Sequence, residues 1–249
     1  MAIVAANWKM NLRRDEAMAL LRSIAGSVPG GCTLWIFPSF TLLPVVCGAA
    51  VGTSAGKTLT FGGQDLSPEA EGAFTGDISA EMLRDAGASL VLVGHSERRQ
   101  VHGESDALLQ RKLKRAVQGG LKPLLCVGET LAQRKAGDAQ AVVARQLQVL
   151  QRLTGAERQA VCAVAYEPVW AIGTGENATA AQASEMHALV RGELKAMGLK
   201  VPVLYGGSVR PDNAAELMAA PGIDGVLVGG ASLNAESLRA ICEAGAARV

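Results

Sequence analysis

Short apolar runs alternate with longer stretches of helical periodicity from one end of the chain to the other. The apolar runs read "IVAANW", "TLWIF", "TLTFGG", "SLVLVG", "KPLLCVG", "AVCAVAY", "VPVLYGG" and "GVLVGG". Several are apolar at consecutive positions rather than at every second one, which is the pattern of strands covered on both faces. Between them, Ala17, Leu20, Leu21 and Ile24 follow the i, i+3, i+4, i+7 spacing of a helix with one apolar face. Leu109, Leu113, Ala116 and Val117 make a second such stripe. Arg111, Lys112, Lys114 and Arg115 lie elsewhere on that helix and read as its solvated side. The stretch "AQAVVARQLQVLQRL", from Ala139, predicts a third amphipathic helix.

Eight strand–helix units fit into 249 residues at roughly 30 residues each. No low-complexity segment or Pro/Ser-rich linker interrupts them. The expectation is α/β: a (β/α)8 barrel of eight parallel strands with outer helices, one domain over residues 1–249. An open, doubly wound sheet would call for a GxGxxG turn after the first strand. That strand runs instead into "NWKMN".

Composition narrows the function. Hydrophobic residues make up 49% and charged residues 19%, and the net charge is +1. Such a balance gives no electrostatic reason to bind nucleic acid or a membrane surface. The N-terminal apolar run is broken by Asn7 and Lys9, so it does not read as a signal peptide, and no run is long enough to span a bilayer. Five scattered cysteines without a CxxC read as reduced thiols, and the expected compartment is cytoplasmic. The three histidines show no metal-ligand spacing with one another or with cysteine, so no metal is expected.

In such a barrel the chemistry gathers at the carboxyl ends of the strands. Strand one delivers Asn7 and Lys9 there, strand four His95, strand five Glu129 and strand six Glu167. Strands seven and eight end in "LYGGSV" and "LVGGASL", turns whose glycines let backbone N–H groups approach an anion closely. A carboxylate base, an imidazole, a fixed cation and two phosphate-type turns point to proton transfer on a small phosphorylated substrate. His102 and His187 read as structural or surface residues.

Seven motifs carry a family resemblance: "NWKMN" (7–11), "GAFTGDIS" (72–79), "GHSERR" (94–99), "LCVGET" (125–130), "AYEPVWAIGTG" (165–175), "YGGSV" (205–209) and "GVLVGGASL" (225–233). They occur in order along the whole chain, which resembles the triosephosphate isomerase family. The resemblance implies interconversion of dihydroxyacetone phosphate and glyceraldehyde 3-phosphate without metal or organic cofactor. It implies Glu167 as the base, His95 as the electrophile and Lys9 as the cation, with Asn7 orienting the substrate. Gly173, Ser208, Gly229 and Gly230 match its phosphate donors.

The segment after Glu167 resembles the family's lid, with Pro168 as its hinge. By the same resemblance, Ile172 and Leu227 close over the carboxylate, Trp170 pairs with Glu129 when the lid is open, and Tyr205 and Ser208 hold it closed. Residues 64–76 resemble a loop that docks into the second subunit of a homodimer, with Phe74 at the tip and Thr75 reaching the partner's site. The chain departs from the family's commoner residues at Asp65, Val101 and Glu176. Two other readings remain open at this point. A Schiff-base aldolase would want a lysine on an inner strand of the barrel. A non-catalytic scaffold would be expected to have lost Lys9, His95 or Glu167.

Overall fold

A computed structural model describes residues 1–51, 59–172 and 178–247. Eight parallel strands close into a barrel in sequence order, and β1 pairs with β8. They are β1 Ala2–Asn7, β2 Cys32–Phe37, β3 Leu59–Gly63, β4 Leu90–Val93, β5 Lys122–Val127, β6 Ala163–Tyr166, β7 Val203–Tyr205 and β8 Gly225–Val228. Each falls on one of the eight apolar runs.

Strand periodicity sorts the apolar residues into two layers. Ala5, Phe37, Leu90, Leu92, Leu124, Cys126, Ala163, Ala165, Leu204 and Leu227 fill the barrel interior. Their neighbours, among them Val4, Val91, Val93, Leu125, Val164, Val203 and Val226, pack outward with the surrounding helices. The same alternation aims the strand ends. Asn7 continues the inward row of Ala5, and Glu167 the inward row of Ala163 and Ala165. Glu129 lies on the outward side of its strand, one residue past inward Gly128.

The helices that position the site are α4 (Ser96–Gln100), α5 (Asp106–Gln118), α6 (Leu131–Lys135) and α7 (Ala139–Leu147), preceded in the chain by α1 (Arg14–Ile24), α2 (Leu43–Ala50) and α3 (Ala80–Asp85). Further helices are α8 (Gly155–Gln159), α9 (Ala180–Ala196), α10 (Ala214–Ala219) and α11 (Ala235–Ala246). The predicted third helix keeps α-helical pitch only to Leu147 and then tightens into a 3₁₀ turn over Gln148–Leu150, where Val149 and Leu150 are buried.

The expected solvated basic face of α5 is corrected at Lys112. This side chain is buried, with Nζ 2.7 Å from both carboxylate oxygens of Asp65 and 2.6 Å from Glu104 Oε1. Arg98 Nη2 adds contacts to Asp65 at 2.9 Å and Glu104 at 2.6 Å. Lysine can be buried here because two carboxylates meet its charge. Among the described residues no helix is long and apolar enough to cross a membrane.

Candidate active site

The segment "NWKMN" forms a sharp corner at the mouth of the barrel. Trp8 is fully buried and anchors it. Lys9 adopts the left-handed backbone region at φ 52°, a conformation that costs a non-glycine residue about 1–2 kcal/mol. Local hydrogen bonds offset that cost. The Asn7 side-chain oxygen accepts from the Lys9 N–H at 3.0 Å, and the Asn11 amide donates to the Trp8 carbonyl at 2.7 Å. Lys9 Nζ then reaches Glu97 Oε1 at 2.6 Å.

His95 is carried over the mouth by Gly94, whose φ is +75° and where a Cβ would lie 2.9 Å from Leu109 Cδ1. The Glu97 backbone N–H donates to His95 Nδ1 at 3.3 Å. An acceptor at Nδ1 leaves the proton of a neutral ring on Nε2. That Nε2 stands 3.0 Å from Glu167 Oε1. The other oxygen of Glu167 accepts from the Ser96 backbone N–H at 2.9 Å. Glu167 is 1% exposed. Burial pushes its pKa above the usual carboxylate range, while neighbouring His95, the Ser96 N–H and Lys9 pull it back. The result is a dry carboxylate held by donors that a ligand could replace.

A cavity of about 560 Å³ opens on these groups. Asn7, Lys9, His95 and Glu167 line it together with Ser208, Gly229 and Gly230; Ile172 and Leu227 are also on its wall. A Cβ on Gly230 would meet no residue beyond its chain neighbours within 4 Å, so the space beside this glycine is open. The catalytic and phosphate candidates named from the sequence thus share one space, except Gly173, which lies outside the described residues with the rest of 173–177.

A family profile described as Triosephosphate isomerase matches residues 2–245. The chain is 49% identical over 250 residues to the triosephosphate isomerase of Stenotrophomonas maltophilia (strain K279a), covering 98% of both. It is 47% identical, with the same coverage, to that of Xanthomonas campestris pv. campestris (strain 8004). The crystal structure of triosephosphate isomerase from Bartonella henselae superposes with a TM-score of 0.87 at 39% identity, again covering 98% of both chains. The chain belongs to the triosephosphate isomerase family.

The described residues on either side of 173–177 are held by hydrogen bonds. Pro168 sets φ at −65° directly after the carboxylate. Glu129, fully buried, accepts from Trp170 Nε1 at 2.8 Å, the Tyr166 hydroxyl at 3.1 Å and Arg134 Nη1 at 3.1 Å. Arg134 also stacks over the Trp170 ring at 4.9 Å. The Ser208 hydroxyl donates to the Ala171 carbonyl at 2.6 Å. The Tyr205 oxygen is met by the Ala178 backbone, while burial pushes its pKa up to about 12. Glu176 falls among the residues that are not described. Phe74 and Thr75 lie on an exposed loop apart from the main cavity; its base is closed by Ser67, which pairs with Ile78 and Asp77.

Several residues around the site have no role assigned from the sequence. Gly128 is forced: a Cβ there would lie 1.7 Å from the Glu167 carbonyl oxygen. Buried Gln146 pairs with both backbone groups of Gly128, at 2.7 and 3.1 Å. Arg210 and Ser237 also line the cavity. Gln64 donates to the Lys9 carbonyl at 2.8 Å.

Proposed function

We propose that this chain interconverts dihydroxyacetone phosphate and D-glyceraldehyde 3-phosphate through an enediolate, with Glu167 as the base and His95 as the electrophile. The observation that carries the assignment is the pairing of a wholly buried carboxylate with an imidazole, 3.0 Å apart, on the wall of a cavity that glycine-rich turns also line. For Glu167 to reach a substrate carbon and His95 Nε2–H a substrate oxygen, their mutual bond must open. The donors that lower the Glu167 pKa then leave it while burial remains, so its basicity rises when substrate is in place.

Glu167 takes the proton from the carbon next to the carbonyl and returns it to the neighbouring carbon. His95 Nε2–H hydrogen-bonds the oxygen on which charge develops and helps to move a proton between the two oxygens. Lys9 exchanges Glu97 for the substrate and adds fixed positive charge; Asn7 orients the substrate oxygens. Ser208, Gly229, Gly230 and Gly173 receive the phosphate. Ile172 and Leu227 keep water from the carboxylate and from the enediolate. The adjacent carbonyl acidifies the carbon-bound proton, so this route needs no cofactor. A coupled assay tests the proposal: glyceraldehyde 3-phosphate is supplied and the product is consumed by a dihydroxyacetone phosphate-specific reductase. Turnover supports it, and none would sink it.

The same reading extends to a homodimer in the cytoplasm. A second cavity, of about 220 Å³, is lined by Lys9 and His95 together with Met10, Gln64 and Glu97. A partner's loop seated there, with Thr75 and Phe74 at its tip, would abut the catalytic residues. Five free cysteines fit a reducing compartment.

A further inference from the structure

The left-handed Lys9 is held on both faces of its peptide. Asn7 takes its N–H, and Gln64 Nε2 donates to its carbonyl at 2.8 Å. The same Gln64 nitrogen donates to the Phe37 carbonyl at 2.9 Å. Two carbonyl acceptors require the NH₂ side of the amide, which fixes how the side chain points. Phe37 ends β2, and its carbonyl also accepts from the Trp8 N–H at 3.1 Å. Gln64 directly follows β3. One amide therefore ties together the carboxyl ends of three strands at the corner that carries Lys9.

Gln64 is itself held from behind. The next residue, Asp65, is clamped in the buried cluster by Lys112 at 2.7 Å and by Arg98 at 2.9 Å. Arg98 belongs to α4, the helix that begins immediately after His95. The cluster thus braces the supports of Lys9 and His95 against each other. Asp65 and Glu104 supply two negative charges and Lys112 and Arg98 two positive ones, so Asp65 completes a balanced set.

We infer that Gln64 is a positioning residue for the reaction: it holds the Lys9 backbone in the left-handed conformation that aims its ammonium into the substrate cavity. Gln64 acts through Lys9 and is not on the wall of that cavity. The inference rests on the Lys9 role proposed above.

A double-mutant cycle separates the two. Steady-state kinetics are measured for the wild type, Gln64→Met, Lys9→Gly and the double variant, with sedimentation and thermal unfolding to show that each is folded. Methionine keeps the length of Gln64 and removes its amide, donors included. Gln64→Met lowers kcat/KM about 10- to 100-fold, with part of the loss in kcat, because a misplacement of about 1 Å is that costly. Gln64→Ala repeats the loss. In the Lys9→Gly background there is no ammonium to aim, and glycine accepts positive φ freely. Adding Gln64→Met there changes kcat/KM by less than about twofold. An equal loss in both backgrounds, or wild-type kinetics in Gln64→Met, would overturn the inference. Full activity in Lys9→Gly would overturn the Lys9 assignment and the inference with it.

Discussion

Glu167 is poised by two neighbours that share no property with it. Gly128 is required because its hypothetical Cβ collides with the Glu167 carbonyl, and Ser96 contributes only its backbone N–H. A first prediction follows at this scale. Gly128→Ala displaces the Glu167 main chain and lowers kcat/KM by about 100-fold or more, as read in the coupled assay; wild-type kinetics would contradict the geometry. Glu167, His95, Lys9 and Asn7 were legible in the sequence because each ends a buried strand where a polar residue is out of pattern. Gly128, Ser96 and Gln64 were not. Their roles arise from backbone groups of strands far apart in the chain, and nothing in their local sequence encodes those neighbours.

At the level of elements, the eight strands were legible because burial on both faces leaves runs of consecutive apolar residues. Helix α5 shows the limit of that reading. Periodicity places Lys112 with the polar side, yet Asp65, far earlier in the sequence, and Glu104 lie against it and make its burial tolerable. Helix α9 offers the clearest pH test. His187 lies between Tyr166 and Tyr205, with Nδ1 on the Gly222 carbonyl at 3.0 Å. Burial, with a smaller contribution from nearby Arg191, lowers its pKa to about 4 against the bond to Gly222 and the charge of Asp224. Between pH 6.5 and about 4 the unfolded chain takes up a proton that the folded chain refuses. This contribution to stability is therefore complete above pH 6.5 and is lost as pH falls toward 4, to the extent of about 3 kcal/mol. His187→Gln should flatten the fall in denaturant-measured stability over that interval. An unchanged slope would show that His187 is not its source.

The whole molecule places Lys9, His95 and Glu167 just past the ends of three different strands, so the barrel must close before the site exists. It also leaves large apolar side chains in water: Met10 is 95% exposed, Met82 56% and Phe74 46%. A proposed partner subunit would cover part of that surface. Sedimentation velocity should find a dimer for the wild type and a shift toward monomer, with loss of activity, for Thr75→Arg; a monomeric wild type at full activity would exclude the dimer reading. The central claim is that a buried carboxylate directly after β6 moves the carbon-bound proton. It is tested most directly by the turnover of Glu167→Gln, which keeps the shape of the side chain and removes its basicity. The account predicts a fall in kcat of roughly 100- to 10,000-fold with KM little changed. Undiminished turnover in that variant would contradict it.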